Sequence, residues 1–204
     1  MQTSIPTSSR HCQERPDQDM SSGLPNAHCW SRFEYERIVD AGGFSADARV
    51  ELLDGEIIDM SPQKSAHATA VGLVEDVLRG CIDEGYHIRS QKPLALDDRS
   101  EPEPDIAVVP GRLRDYADRH PDTALLIVEV ADTSLAYDQV SKALAYARNG
   151  IADYWILNLR DRALEVCREA DDRGYGQRRL IDARGHVTPL VAPQCVIRVD
   201  DLLP

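Results

Sequence analysis

The stretch "LLIVEVADTSLAYDQVSKALAYARNGIADYWILNL", residues 125–159, does most to limit the folds open to this chain. It begins as an apolar run that reads as a buried β-strand and continues as an alanine-rich helix stopped at Asn149-Gly150. It then returns to an apolar strand, "DYWILNL". Two residues do not suit that pattern. Glu129 stands in the middle of the first apolar run, and Lys142 is the only charge between Asp138 and Arg148.

The flanking sequence extends the same architecture. Upstream, "SRFEYERIVDAGG" reads as a short helix, with Ser31 as N-cap, Glu34 placed for a capping box and Gly42 as a stop. "RVELLDGEIIDMSP" is two apolar-alternating runs around Asp54-Gly55, a hairpin signal. The recurrence of Val71, Val74 and Leu78 predicts a helix over about 66–84. "YHIRSQKPLAL", interrupted at Pro93, and "DIAVVPG", entered through "EPEP", are strand candidates. Downstream, "LEVCREADDRGYGQRRLI" reads as a hairpin, with a last strand near 187–191. The central order of helix, three strands, helix, strand implies an α/β fold with a mixed central sheet, an N-terminal helix and hairpin, and a C-terminal β extension. Residues 1–28 read as a polar, disordered tail, and residues 29–204 as one domain.

Composition narrows the setting. No apolar stretch reaches the roughly 20 residues of a membrane span, and the N-terminus lacks the apolar core of a signal peptide. Cys12, Cys29, Cys81, Cys167 and Cys195 are scattered without metal-ligand spacing, which predicts free thiols in a reducing, cytoplasmic compartment. The net charge of −12 opposes a loose, charge-driven grip on nucleic acid, so contact with DNA would need metal ions or a local basic patch. Lys64, Lys92 and Lys142 are the only lysines.

The acids are the best candidates for chemistry. Asp105 opens one predicted strand and Glu129 lies within the next. Neighbouring strands sit about 4.8 Å apart, so the two carboxylates can converge on one divalent cation if the register agrees. Mg²⁺ binds through one or two carboxylates plus water and substrate phosphate, and the Val130 carbonyl could add a ligand. An acid at a strand entrance is ordinarily solvated, and Asp105 alone reads that way. Glu129 has apolar neighbours on both sides, and a buried carboxylate needs a partner, a proton or a metal. Lys142 falls nearly opposite an apolar stripe of Val140, Leu144 and Ala147, which by periodicity reads as a lysine reaching from a half-buried helix to solvent. Asp138, one turn earlier, could pair with it, and a desolvated lysine beside a metal could serve catalysis. Spacing does not choose between these readings.

"VELLDGEIIDMSP", "AHATAVGLVEDVLR", "EPEPDIAVVPG", "IVEVADTSLAYDQVSKALAYARNGIADYWILNL" and "LEVCRE" together resemble the Uma2 family, from about Trp30 to Arg168. The family comprises predicted bacterial endonucleases of the PD-(D/E)XK restriction-endonuclease-like superfamily. Pro104-Asp105 matches the first part of the superfamily motif and Glu129 its second acid. Ala131 occupies the position expected for lysine, and the resemblance places that lysine on the following helix, at Lys142.

The resemblance implies metal-dependent hydrolysis of a phosphodiester, with Asp105, Glu129 and Val130 holding Mg²⁺ or Mn²⁺ and Lys142 positioning the nucleophile or stabilising charge. Glu51 in the first hairpin and Asp138 are supporting candidates. His67 matches a histidine of the family pattern, and Glu103 shares the approach to Asp105. The partner that the resemblance implies is nucleic acid, with DNA as the expected substrate, and a homodimer would let two strands be cut. Dimerisation would also gather arginines such as Arg89, Arg112 and Arg114 around a groove. Two other readings use the same fold: a non-catalytic nucleic-acid- or protein-binding module, and a nucleotide phosphohydrolase. No Walker A loop, GxGxxG fingerprint, HExxH helix or GxSxG elbow is present.

Overall fold

The protein was analysed as a computed structural model, which describes residues 27–45 and 47–204. The expected tail, residues 1–28, lies outside the described residues except for Ala27 and His28. Helix α1 (Arg32–Asp40) starts as its sequence predicts. The Ser31 N–H donates to Glu34 Oε2 at 2.9 Å, and the Glu34 N–H donates to Ser31 Oγ at 3.3 Å. Strands β1 (Val50–Leu53) and β2 (Glu56–Asp59) form the expected hairpin, turning through Asp54 at φ 52° and Gly55 at φ 79°. Two successive positive φ angles are what a two-residue hairpin of this hand requires.

Helix α2 (Ser65–Cys81) buries Ala70, Val71, Val74 and Leu78. Strands β3 (Tyr86–Ser90), β4 (Ile106–Pro110) and β5 (Leu126–Ala131) follow. Helix α3 then runs in three continuous segments, α-helical over Leu135–Tyr137, π-helical over Asp138–Lys142 and α-helical again over Ala143–Arg148. Beyond it lie β6 (Tyr154–Asn158), β7 (Ala163–Asp171) and β8 (Gly174–Asp182). The strand expected near 187–191 is shorter, a two-residue β9 (His186–Val187) paired with β10 (Ile197–Arg198).

One mixed sheet takes the order β3-β4-β5-β6-β7-β8. Only β5 and β6, joined through α3, are parallel; the other neighbours are antiparallel. Strand alternation divides the core between two faces. Ile106, Val108, Val128, Val130, Trp155 and Leu157 pack with α2 and the C-terminal segment. Ala107, Val109, Ile127, Tyr154 and Ile156 pack with Ala143, Tyr146 and Ala147 of α3.

Two expectations are corrected. Cys81 and Cys195 form a disulfide across 114 residues, so they are not free thiols, whereas Cys167 is free and buried. The disulfide ties the end of α2 to the C-terminal segment, a juxtaposition that sequence spacing does not reveal. With it, the cysteines cease to argue for a reducing compartment. The second correction concerns α3. Val140, assigned to its apolar stripe, is 60% exposed, while Lys142, assigned to the outer face, is 4% exposed. The buried face of α3 is Asp138, Lys142, Ala143, Tyr146 and Ala147, spaced by three and four residues, so the helical repeat itself holds and the sheet covers a face other than the one the apolar residues Val140 and Leu144 suggest.

Candidate active site

The site forms where β4 and β5 part. Their ladder is regular from Val108 opposite Leu126 to Ile106 opposite Val128. In the same register Asp105 falls opposite Glu129 and Pro104 opposite Val130, and a proline has no N–H to donate. The Val130 N–H bonds instead to Asp105 Oδ2 at 2.9 Å. The Val130 carbonyl lies on the same strand edge and receives no ladder donor from Pro104. The "EPEP" entrance thus stops the sheet and leaves the Asp105 carboxylate at the end of β5. Gln91, just past β3 at φ 51°, adds a bond from its side-chain amide to Asp105 Oδ1 at 3.0 Å. A non-glycine residue in that region is uncommon, and such strain concentrates at functional sites.

Glu129 is 3% exposed. Its Oε2 accepts the Asp105 N–H at 3.3 Å, and its Oε1 accepts Lys142 Nζ at 2.9 Å and the Tyr146 hydroxyl at 2.7 Å. Lys142 Nζ also lies 3.3 Å from Glu51 Oε2. Glu51, delivered by β1, further accepts the Glu103 N–H at 3.0 Å and the Tyr137 hydroxyl at 3.3 Å. His67, in the first turns of α2, places Nε2 3.2 Å from Asp105 Oδ2, while its buried Nδ1 has no hydrogen-bond partner. Asp138 does not reach Lys142 directly. Its carboxylate accepts the Ser134 hydroxyl at 2.6 Å, and its backbone carbonyl accepts the Tyr154 hydroxyl at 3.1 Å.

All the expected site residues therefore line one cleft: Asp105, Glu129, Val130 and Lys142, with Glu51, His67 and Asp138, and Glu103 beside them. The sequence reading missed Tyr146, Tyr137, Gln91 and Ser134. Tyr146 follows Lys142 by four residues, a spacing that would have flagged it as a neighbour on a helix face. Gln91 carries no comparable signal, since it reaches Asp105 only through its unusual backbone angle.

Electrostatics follow from the count of charges. Glu51, Asp105, Glu129 and Asp138 surround one lysine and one histidine. Burial pushes Glu129 up to about 8; Lys142 opposes this, and the charges of Asp105, Asp138 and Glu51 add to it. Burial likewise raises Asp138 to about 6, against Lys142 and the Ser134 hydroxyl. Burial alone would lower Lys142, but Glu129, Glu51 and Asp138 more than offset it and hold the ammonium charged. Lys142 stays charged beside an excess of acid, since three carboxylates crowd one ammonium. Burial also acts to raise Asp105, yet its bond to His67, the charge of that ring, the Val130 N–H and Gln91 bring it below the usual carboxylate range. The same bond raises His67 in spite of burial.

An excess of buried negative charge calls for protons or a cation. Among the described residues no three His, Cys, Asp or Glu side chains converge as metal ligands. The fitting donor set is thus two carboxylates and the Val130 carbonyl, completed by water or substrate oxygen. All are hard oxygen donors of the kind Mg²⁺ and Mn²⁺ take.

Arg49 and Lys64 stand on the cleft wall. At its mouth Asp132 holds two cations, Lys64 Nζ at 2.8 Å and Arg160 Nε at 3.5 Å. None of the arginines expected around a dimer groove lines this cleft. Arg89 is buried beneath the Tyr116 ring, 5.6 Å from its centroid, and Arg112 and Arg114 do not line the cleft. No helix among the described residues is long and apolar enough to cross a membrane.

Comparison with known proteins bears on this geometry. Residues 33–199 match the family described as "Uma2: Putative restriction endonuclease". No curated protein matches the chain. Among solved structures it is similar to the crystal structure of "a putative nuclease belonging to DUF820 from Anabaena variabilis ATCC 29413". The TM-score is 0.68 and the identity 14%, over 84% of this chain and 96% of that one. At that identity the likeness is one of fold.

Proposed function

The chain belongs to the Uma2 family, described as "Putative restriction endonuclease", and from that premise we propose that it is an endonuclease hydrolysing DNA phosphodiester bonds with Mg²⁺ or Mn²⁺. The observation that carries the reading is the buried arrangement of Asp105, Glu129 and Lys142 at the parted end of β4 and β5. When bound, the cation lowers the pKa of a water and neutralises charge on the phosphate. Asp105 and Glu129 hold it, with the Val130 carbonyl as third protein donor. His67 and Gln91 fix the orientation of Asp105, a supporting role that commonly tunes ligand strength. Lys142, kept charged by the acids around it, supplies a hydrogen-bond donor to the attacking water or a phosphate oxygen. Arg49 and Lys64 would receive the flanking backbone, a local basic rim on an acidic protein. Action on both strands would be served by a homodimer.

A second reading has its own observation. The carboxylate oxygens of Glu129 and Asp105 already accept bonds from Lys142, Tyr146, His67 and Gln91, as the polar core of a non-catalytic binding module would. Mn²⁺ titration by calorimetry separates the two. The nuclease reading expects binding by the wild type that is lost in both Asp105→Ala and Glu129→Ala, followed by Mn²⁺-dependent cleavage of DNA. Absence of binding, repeated with DNA present to supply phosphate ligands, would favour the binding module.

A further inference from the structure

Glu129 Oε1 is held twice, by Lys142 Nζ at 2.9 Å and by the Tyr146 hydroxyl at 2.7 Å. The two donors differ in freedom. Lys142 carries three N–H groups on a flexible stem and divides them between Glu129 and Glu51. Tyr146 is wholly buried, with a rigid ring set edge-on to Tyr154 at 5.0 Å, and Tyr154 stacks on Tyr175 at 5.8 Å. Each of the other two rings is pinned by its own hydroxyl, Tyr154 to the Asp138 carbonyl and Tyr175 to the Ile151 carbonyl at 2.8 Å. The Tyr146 hydroxyl has one proton to donate, and the ring layer directs it at Oε1.

We propose that Tyr146 is a positioning residue of the reaction: it anchors Glu129 Oε1 so that Oε2 stays turned toward Asp105, and so that Lys142 can leave Glu129 for a phosphate oxygen without releasing the carboxylate. The inference rests on the nuclease reading and adds a division of labour to it. A lysine that was the sole anchor of Glu129 could not serve the substrate without loosening a cation ligand. With the tyrosine in place, the ligand stays fixed while the ammonium moves.

The test is Mn²⁺ affinity by calorimetry on the full chain, in the wild type, Tyr146→Phe, Lys142→Met and Tyr175→Phe. Tyr146→Phe is expected to weaken Mn²⁺ binding by about 10–100-fold, the usual cost of losing a partner that orients a ligand. Lys142→Met is expected to keep binding, because Tyr146 still holds Oε1. Tyr175→Phe removes a hydroxyl from the same ring layer without touching Glu129, so its affinity should match the wild type. The inference is overturned if Tyr146→Phe binds like the wild type, if Tyr175→Phe is weakened equally, or if Lys142→Met alone abolishes binding. A wild type that binds no Mn²⁺, even with DNA, would overturn the nuclease reading and this inference with it. Binding in the wild type with no effect in Tyr146→Phe would remove this inference alone. Tyr146→Phe removes one hydroxyl and keeps the ring packing, so its affinity is read in a folded protein, and Tyr175→Phe controls for the loss of a buried hydroxyl.

Discussion

Lys142 Nζ lies 2.9 Å from Glu129 Oε1 in the interior, joining α3 to β5 across 13 residues of chain. The pair is not a simple one, because Glu51 Oε2 sits 3.3 Å from the same ammonium and Asp138 adds its charge nearby. One cation therefore serves several acids, and the partners are unequal in what their loss would cost.

Lys142→Met should lower unfolding free energy by about 3–5 kcal/mol, since it strands buried carboxylates. Glu51→Gln should cost less than about 1 kcal/mol, because it relieves crowding among the acids and its amide oxygen can accept the Glu103 N–H while its NH2 faces the Tyr137 hydroxyl. Urea unfolding of the two variants measures the difference. Equal losses would show that the acids do not depend on the lysine for their burial.

The hairpin that delivers Glu51 depends on Gly55. At φ 79° an L side chain is strained, and a Cβ there would run into Cys29 Sγ. Gly55→Ala is expected to destabilise the protein by more than about 1 kcal/mol, beyond the usual effect of the exchange at a compatible site. Thermal unfolding checks it, and an unchanged midpoint would mean that the turn relaxes to another form.

Salt dependence tests the rim. If Lys64 and Arg160 exchange Asp132 for DNA phosphate, Lys64→Ala should reduce the slope of log affinity against log salt by about 1. Asp132→Asn should instead tighten binding, because the competing carboxylate is gone. Fluorescence anisotropy across a salt series, with Ca²⁺ to limit cleavage, reads both. Weaker binding by Asp132→Asn would show that the acid supports the rim.

Glu101 sets a pH dependence away from the site. Burial raises its carboxyl to about 7, helped by a bond from and the charge of Glu36 and by Glu103, against Arg32. Its folded pKa exceeds the ordinary 4.5, so the folded state holds an extra proton between those values. The stabilisation is full below about 4.5 and is lost as pH rises through about 7. Glu101→Gln mimics the protonated form, so its melting temperature should exceed the wild type's at pH 8 and converge with it at pH 4.5. Parallel curves would remove Glu101 as the cause.

Much of the frame was legible because it is written in near neighbours. The Ser31–Glu34 capping box, the Asp54-Gly55 turn, the apolar strands and the stop at Asn149-Gly150 each depend on residues a few positions apart. Asp105 and Glu129 were legible as a pair because adjacent strands bring their residues within one spacing of each other. An acid in the middle of an apolar strand also announces a site, since burial demands a partner.

Other features depended on contacts no local pattern contains. The burial of Lys142 follows from which face of α3 the sheet covers: the apolar residues Val140 and Leu144 suggest one face, and the fold buries Asp138, Lys142 and Tyr146 on another. Arg89 looks like a groove cation by composition, yet it is buried against Tyr116, and Cys81 finds Cys195 only when α2 meets the C-terminal segment. Sequence by itself determined the elements and the presence of a buried acid, because propensity and periodicity act over one or two turns. Tertiary structure alone decided which groups share Glu129, because a buried charge is settled by whatever the fold brings within hydrogen-bond reach.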